Sequence, residues 1–288
     1  MKAIYKRELA SYFNSMIGYI CVAAMVVFIG IYFMAYNLFA GYPYFSIALN
    51  YSLFIFMVVV PLLTMRSLSE ERRSRTDQLL LTTPVTVTAV VLGKYLAMLT
   101  VYLVPVLISC LCPLIIKLNG TAYLKADYAA IFAFFLLGAV EIAIGLLISG
   151  LTESQVIAAV GTFGVLLVLN LWDGLVGYLP ATAAGSLLGL LVILAGICLL
   201  LHALSNNWKV SGGTLAAGLA ALLGFYLKDS AAFEGLLPDL LGRFSLVAAF
   251  DSFATEHVFD VSGTLLYLSL IALFLFLTVQ VIQKRRWN

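Results

Sequence analysis

Charge is scarce in this chain. Only 10% of its 288 residues are Asp, Glu, Lys or Arg, while 63% are hydrophobic; an ordinary soluble domain carries about 25% charged residues. A globule with so few charges would leave more apolar surface in water than water tolerates, so its solvent is lipid. Net charge is only +2 and no Lys/Arg-rich run stands apart from the apolar segments, which removes nucleic acid as a partner. Histidine occurs twice. The four cysteines, Cys21, Cys110, Cys112 and Cys198, all lie inside apolar runs, and Cys110-Leu111-Cys112 has no His or Asp neighbour to complete a metal site. A nucleotide-binding phosphate loop is also missing: Gly93-Lys94 is followed by Tyr95 and lacks the upstream glycine. No metal, cofactor or catalytic group is expected.

What is present is long apolar runs. A helix needs about 20 apolar residues to cross the hydrocarbon core. Such runs occur near 16–36, 46–65, 95–116, 128–149, 155–178, 182–204, 211–227 and 263–283. They predict an all-α polytopic membrane protein with about eight spans, organised as one domain: a six-span core over 16–204, then a short span, an outer segment and a last span over 205–288. The first run is too long for a signal-peptide core and is read as an uncleaved span. With both termini cytoplasmic, 12 of the 16 basic residues fall on the inner side, as the positive-inside bias requires. The first fifteen residues alternate Ile4, Tyr5, Leu9, Tyr12 and Phe13 with Lys2, Lys6, Arg7 and Glu8. That spacing fits an amphipathic helix at the inner headgroup layer, in contact with lipid, and equally an ordinary charged flank. Segment 228–262 is too polar to span, and its apolar patches suggest short surface helices.

The most informative stretch follows the second run. Arg66-Ser67-Leu68-Ser69-Glu70-Glu71-Arg72-Arg73 is densely charged; Thr76-Asp77 then offers a helix cap, Leu79-Leu80-Leu81 an apolar face, and Pro84 a stop. A short helix of this kind, parallel to the membrane, cannot bury its leucines alone. A partner or lipid has to cover them.

This stretch, continued by Leu92-Gly93-Lys94-Tyr95, resembles the coupling-helix region of ABC-2-type exporter permeases, and within them the gliding-motility-type (GldF-like) permeases. The turn Ser149-Gly150-Leu151-Thr152-Glu153-Ser154-Gln155 resembles their second cytoplasmic loop. The run from Leu268 to Arg285-Arg286-Trp287 resembles their last span and basic tail. Arg75 stands where relatives often have Gly. The resemblance implies the transmembrane subunit of an ABC exporter in a bacterial inner membrane, itself without ATPase activity. A separate ABC ATPase would dock beneath it, with a second permease copy or paralogue beside it, and a GldG-like auxiliary protein would be a further partner. It implies a coupling site of Glu70, Glu71, Arg72, Arg73, Thr76, Asp77, Leu79, Leu80 and Pro84, with Thr152, Glu153 and Gln155 in the second loop.

Inside the membrane, Glu141 is the one carboxylate deep in an apolar run, flanked by Gly138 and Gly145. Its cost in lipid makes it a functional candidate or an interhelical hydrogen-bond partner. Two other readings compete. An ATP-independent transporter usually shows an internal repeat, and none is evident. An intramembrane CAAX-type protease is suggested by Glu70-Glu71 with Arg75, His202 with Asn206, and Phe253 with His257. The two histidine motifs occur in reversed order, and the predicted topology puts the two histidines on opposite faces of the membrane.

Overall fold

The computed structural model describes residues 1–74, 86–205, 216, 218–220, 222, 224–226, 228 and 231–287. Among these residues there is no strand. The protein is all-α and multi-pass. Five stretches are long and apolar enough to cross a membrane: Met16–Phe39, Phe45–Arg73, Val87–Asn119, Leu124–Leu151 and Val261–Lys284. Two further apolar helices, Gln155–Asn170 and Ala183–Gly196, are shorter. The count of eight read from the runs is therefore not reached among the described residues. The run at 155–178 is interrupted after Asn170, where the side-chain amide turns back to Leu166 O at 3.0 Å. All of 206–215 and part of 216–230 lie outside the described residues.

The chain forms two compact units, 1–170 with 249–288, and 171–248. The first begins with α1 (Lys2–Asn14) and α2 (Met16–Tyr32), the latter running into a π-helical segment, Phe33–Phe39. The second apolar run is not one straight rod. It is α3 (Phe45–Tyr51), a 3₁₀ turn (Leu53–Ile55), α4 (Phe56–Thr64) with Pro61 inside it, and α5 (Ser69–Arg73). Then come α6 (Val87–Ser109), α7 (Cys112–Asn119), α8 (Leu124–Leu151) and α9 (Gln155–Asn170). Thr86 caps α6, its hydroxyl accepting from Ala89 N. In the second unit, α10 (Trp172–Gly177), α11 (Ala183–Ser205) and α12 (Leu236–Gly242) pack together. Trp172 Nε1 donates to Leu241 O at 2.8 Å, and Ser245 Oγ to Asp173 Oδ2 at 2.7 Å. The short helices expected in 228–262 are present as Ala231–Phe233, α12 and α13 (Leu246–Ala254). The chain closes on α14 (Val261–Trp287).

α8 is the core of the first unit. A helix apolar all round has to be buried on most faces, and α3, α4, α6, α9 and α14 all pack on it. α14, equally apolar, leaves Leu265, Leu268, Leu273 and Phe276 exposed, a surface suited to lipid.

One stripe of α8 organises the whole Phe45–Arg73 segment. Residues 127, 138, 141, 145 and 149 recur at helical spacing and share a face. At its start, Asp127 Oδ1 accepts from Phe45 N at 2.7 Å and from Ser46 N at 3.4 Å, the first amides of α3. These amides lack intrahelical partners and welcome a carboxylate. At its end, Ser149 Oγ accepts from Leu68 N and Ser69 N, both at 3.2 Å, where α5 begins. Between them, Gly138 lets Tyr102 and Phe56 approach and Gly145 admits Thr64: a Cβ at either position would fall 2.5 Å from the nearest neighbouring side-chain atom.

Candidate coupling site

The charged run became a helix because α5 has neighbours for nearly every charge. Its acidic residues come first and its basic ones last, the order the helix dipole favours. Arg66 and Glu70 pair at i,i+4, with Nε–Oε2 at 2.8 Å and Nη2–Oε1 at 3.0 Å. Glu71 turns inward, where its carboxylate meets Lys94 Nζ at 2.9 Å and Arg7 Nη2 at 3.0 Å.

Lys94 is the centre of this arrangement. Its side chain is only 1% exposed, yet all three ammonium protons have an acceptor: Ser67 O at 2.8 Å, Glu71 at 2.9 Å and Glu8 at 3.1 Å. Glu8 comes from α1, which is fixed on α6 by close packing. Gly93 leaves room for Ile4 and the backbone of Tyr5, and the Tyr5 hydroxyl meets Thr100 Oγ1 at 3.0 Å. About two turns further along α1, Tyr12 is buried and donates to Leu63 O at 2.8 Å. Arg7 closes the network with Glu8 at 2.7 Å, a hydrogen bond that holds its guanidinium above its ordinary pKa. Three cations (Arg7, Arg66, Lys94) balance three carboxylates (Glu8, Glu70, Glu71) around a cleft of about 380 Å³.

On the other side of α5, Arg72 reaches the turn between α8 and α9. Its Nη1 donates to Gly150 O at 2.5 Å and Nη2 lies 3.4 Å from Glu153. The Thr152 hydroxyl donates to Ser154 O at 3.1 Å within that turn, and Gln155 opens α9. The sequence thus brings α1, α5, α6 and the α8–α9 turn to one place, where Glu70, Glu71 and Arg72 find their counter-charges within the chain.

A family model for ABC-2 family transporter proteins matches residues 2–205. The chain belongs to the ABC-2 transporter family. No curated protein matches it. Membership makes this chain a membrane transport component of ABC-transporter permease type and implies an ABC ATPase partner. The matched region contains both α5 and the α8–α9 turn, the two places where the sequence resembled the loops of such permeases.

Of the residues expected to couple to the ATPase, Glu70, Glu71, Arg72 and Arg73 are on α5. Glu71 and Arg72 point into the chain; Arg73 is exposed, as is Glu153. Thr76, Asp77, Leu79, Leu80 and Pro84 lie outside the described residues. Glu141 is apart from this site, buried in α8. Sequence reasoning missed Glu8 and Lys94 as members. A signal existed for both: Lys94 is the only charge in α6, and Glu8 shares the Tyr5–Tyr12 face of α1. The protease constellation does not assemble. Glu70 is at the C-terminal end of the Phe45–Arg73 segment, whereas His257 stacks on Tyr44 at its start, with centroids 3.8 Å apart.

Proposed function

We propose that this ABC-2 chain is the transmembrane subunit of an exporter driven by a separate ATPase. In this reading α5 and the α8–α9 turn face the cytoplasm, in a bacterial inner membrane, with both termini inside and about eight spans in all. The observation that carries it is the family match over residues 2–205, joined to a charged short helix at the end of an apolar segment. Two such subunits, or one and a paralogue, enclose the path, as in the GldF-like permeases that the sequence resembles; a GldG-like auxiliary protein is a further candidate partner. Arg73 and Glu153 supply outward charge for the ATPase. Leu79 and Leu80 supply apolar contacts to its groove, and Thr76, Asp77 and Pro84 belong to the same docking stretch. Glu70, Glu71 and Arg72 hold the site to the rest of the chain.

Affinity capture of the full chain in mild detergent tests this reading. The expected result is co-purification of a nucleotide-binding ATPase, lost in Leu80→Asp while the chain still inserts in the membrane. Recovery of a well-folded chain without any ATPase would overturn it.

A further inference from the structure

Glu141 takes no part in the coupling site. It lies ten residues before the end of α8 at Leu151, roughly 15 Å along the helix, and is 2% exposed. Its Oε2 is buried without a hydrogen-bond partner among the described residues. Among the described residues no cation pairs with it. Lys94 is committed to Ser67, Glu8 and Glu71; α4 and α9 contain no ionisable residue. At its level the titratable neighbours are phenols. Tyr95 and Tyr102 of α6 donate to Ala139 O at 3.1 Å and Phe134 O at 2.7 Å, and Tyr267 is fully buried in α14, which packs on α8. The remaining ionisable groups on elements packed against α8 are Tyr51 of α3, the charges of α5, Cys112 and Lys117 of α7, Lys284, Arg285 and Arg286 at the end of α14, and Asp251 of α13, whose neighbour Phe250 meets Phe134 of α8 and whose Oδ1 accepts from Asn50 Nδ2 at 2.5 Å.

Position gives this carboxyl its meaning. Gly138 lies against Phe56 and Gly145 against Thr64, so Glu141, between them on the same stripe of α8, is level with the interval of α4 that contains Val60 and Pro61. Pro61 has no N–H, which leaves the Met57 carbonyl without its helical donor. A protonated carboxyl brings a donor to this seam; a carboxylate brings a bare charge and no donor. An ionised, unpaired carboxylate in such surroundings costs far more than keeping the proton.

We propose that Glu141 is a proton-binding site inside the membrane, occupied while α4 and α8 are closed together and vacated when they part. The proton leaves to water entering the opened seam, and the carboxylate that remains is then hydrated. The site depends on the permease reading only for what pulls α4 away, namely motion transmitted through α5.

The experiment uses the full chain in lipid nanodiscs, without any ATPase. Infrared spectra at neutral pH are expected to show the C=O stretch of a protonated carboxyl that disappears in Glu141→Gln and shifts in Glu141→Asp, which keeps an acid at the site. As pH is raised, loss of this band in the parent chain is expected to accompany faster amide exchange over residues 56–64 than in Glu141→Gln at the same pH. Absence of the band at neutral pH, its persistence in Glu141→Gln, or equal exchange in the two proteins would overturn the proposal. If Glu141→Gln fails to fold, the Glu141→Asp band shift and the parent titration still decide it. A negative result beside a captured ATPase would remove the proton site and leave the permease reading intact; a positive result with no ATPase captured would do the reverse.

Discussion

A single buried lysine determines how the N-terminus is used. Lys94 joins Glu8 and Glu71, residues 63 positions apart in sequence, through one ammonium group. Removing one partner of a buried ion network leaves the others uncompensated, at a cost of about 3–5 kcal/mol. Lys94→Met is therefore expected to destabilise the chain by about 3 kcal/mol, toward the lower end because both carboxylates keep some water contact. Thermal unfolding in detergent measures this, and limited proteolysis should show α1 released first. Asp260 illustrates a milder effect. It caps α14, Oδ1 accepting from Ser262 N at 2.8 Å and Oδ2 from Gly263 N at 3.0 Å. The Ser262 hydroxyl, also at 2.8 Å, is the main reason its pKa is lowered. A depressed folded-state pKa means the cap is fully effective above the unfolded value and is lost as pH falls through the folded one. Asp260→Ala should cost about 1 kcal/mol at neutral pH, and the gap from the parent should vanish in strong acid.

At the scale of elements, helices long and apolar enough were legible from composition, because a 20-residue apolar run has few alternatives. Their interruptions were not. The bends in Phe45–Arg73 depend on Asp127 and Ser149, more than 75 residues away, and no local pattern announces such partners. The charged run was read as a prelude to a helix at Thr76; its own helicity at Ser69–Arg73 arises from Lys94, Gly150 and Glu153, which are tertiary neighbours. Gly138 and Gly145 were visible as flanks of Glu141, but their use as seats for Phe56, Tyr102 and Thr64 was not. Gly138→Ala tests that use. The added Cβ would lie 2.5 Å from Tyr102 Cζ and 2.8 Å from Phe56 Cε1, and overpacking of this kind costs about 1–3 kcal/mol. The midpoint of thermal unfolding should drop accordingly, while Gly164→Ala, which meets nothing within 4 Å and places the better helix former inside α9, should not lower it.

At the scale of the molecule, internal neutralisation of the charged cluster separates two roles that the sequence merged. Arg72 is a strut between α5 and the α8–α9 turn; Arg73 is available to something outside. Arg73→Glu is expected to weaken ATPase capture without altering the unfolding midpoint, and Arg72→Glu to lower that midpoint before capture is considered. Paired capture and unfolding measurements on the two variants check the distinction. The α8 stripe has a consequence for length. With Asp127 seated on the first amides of α3 and Ser149 on those of α5, α8 is a ruler laid beside the Phe45–Arg73 segment. One residue inserted between the two marks would turn everything beyond it by about 100° and advance it about 1.5 Å, carrying Ser149 off its target. Neither member of this pair can change length alone, so an insertion tolerated here has to come in near-whole turns and on both sides at once.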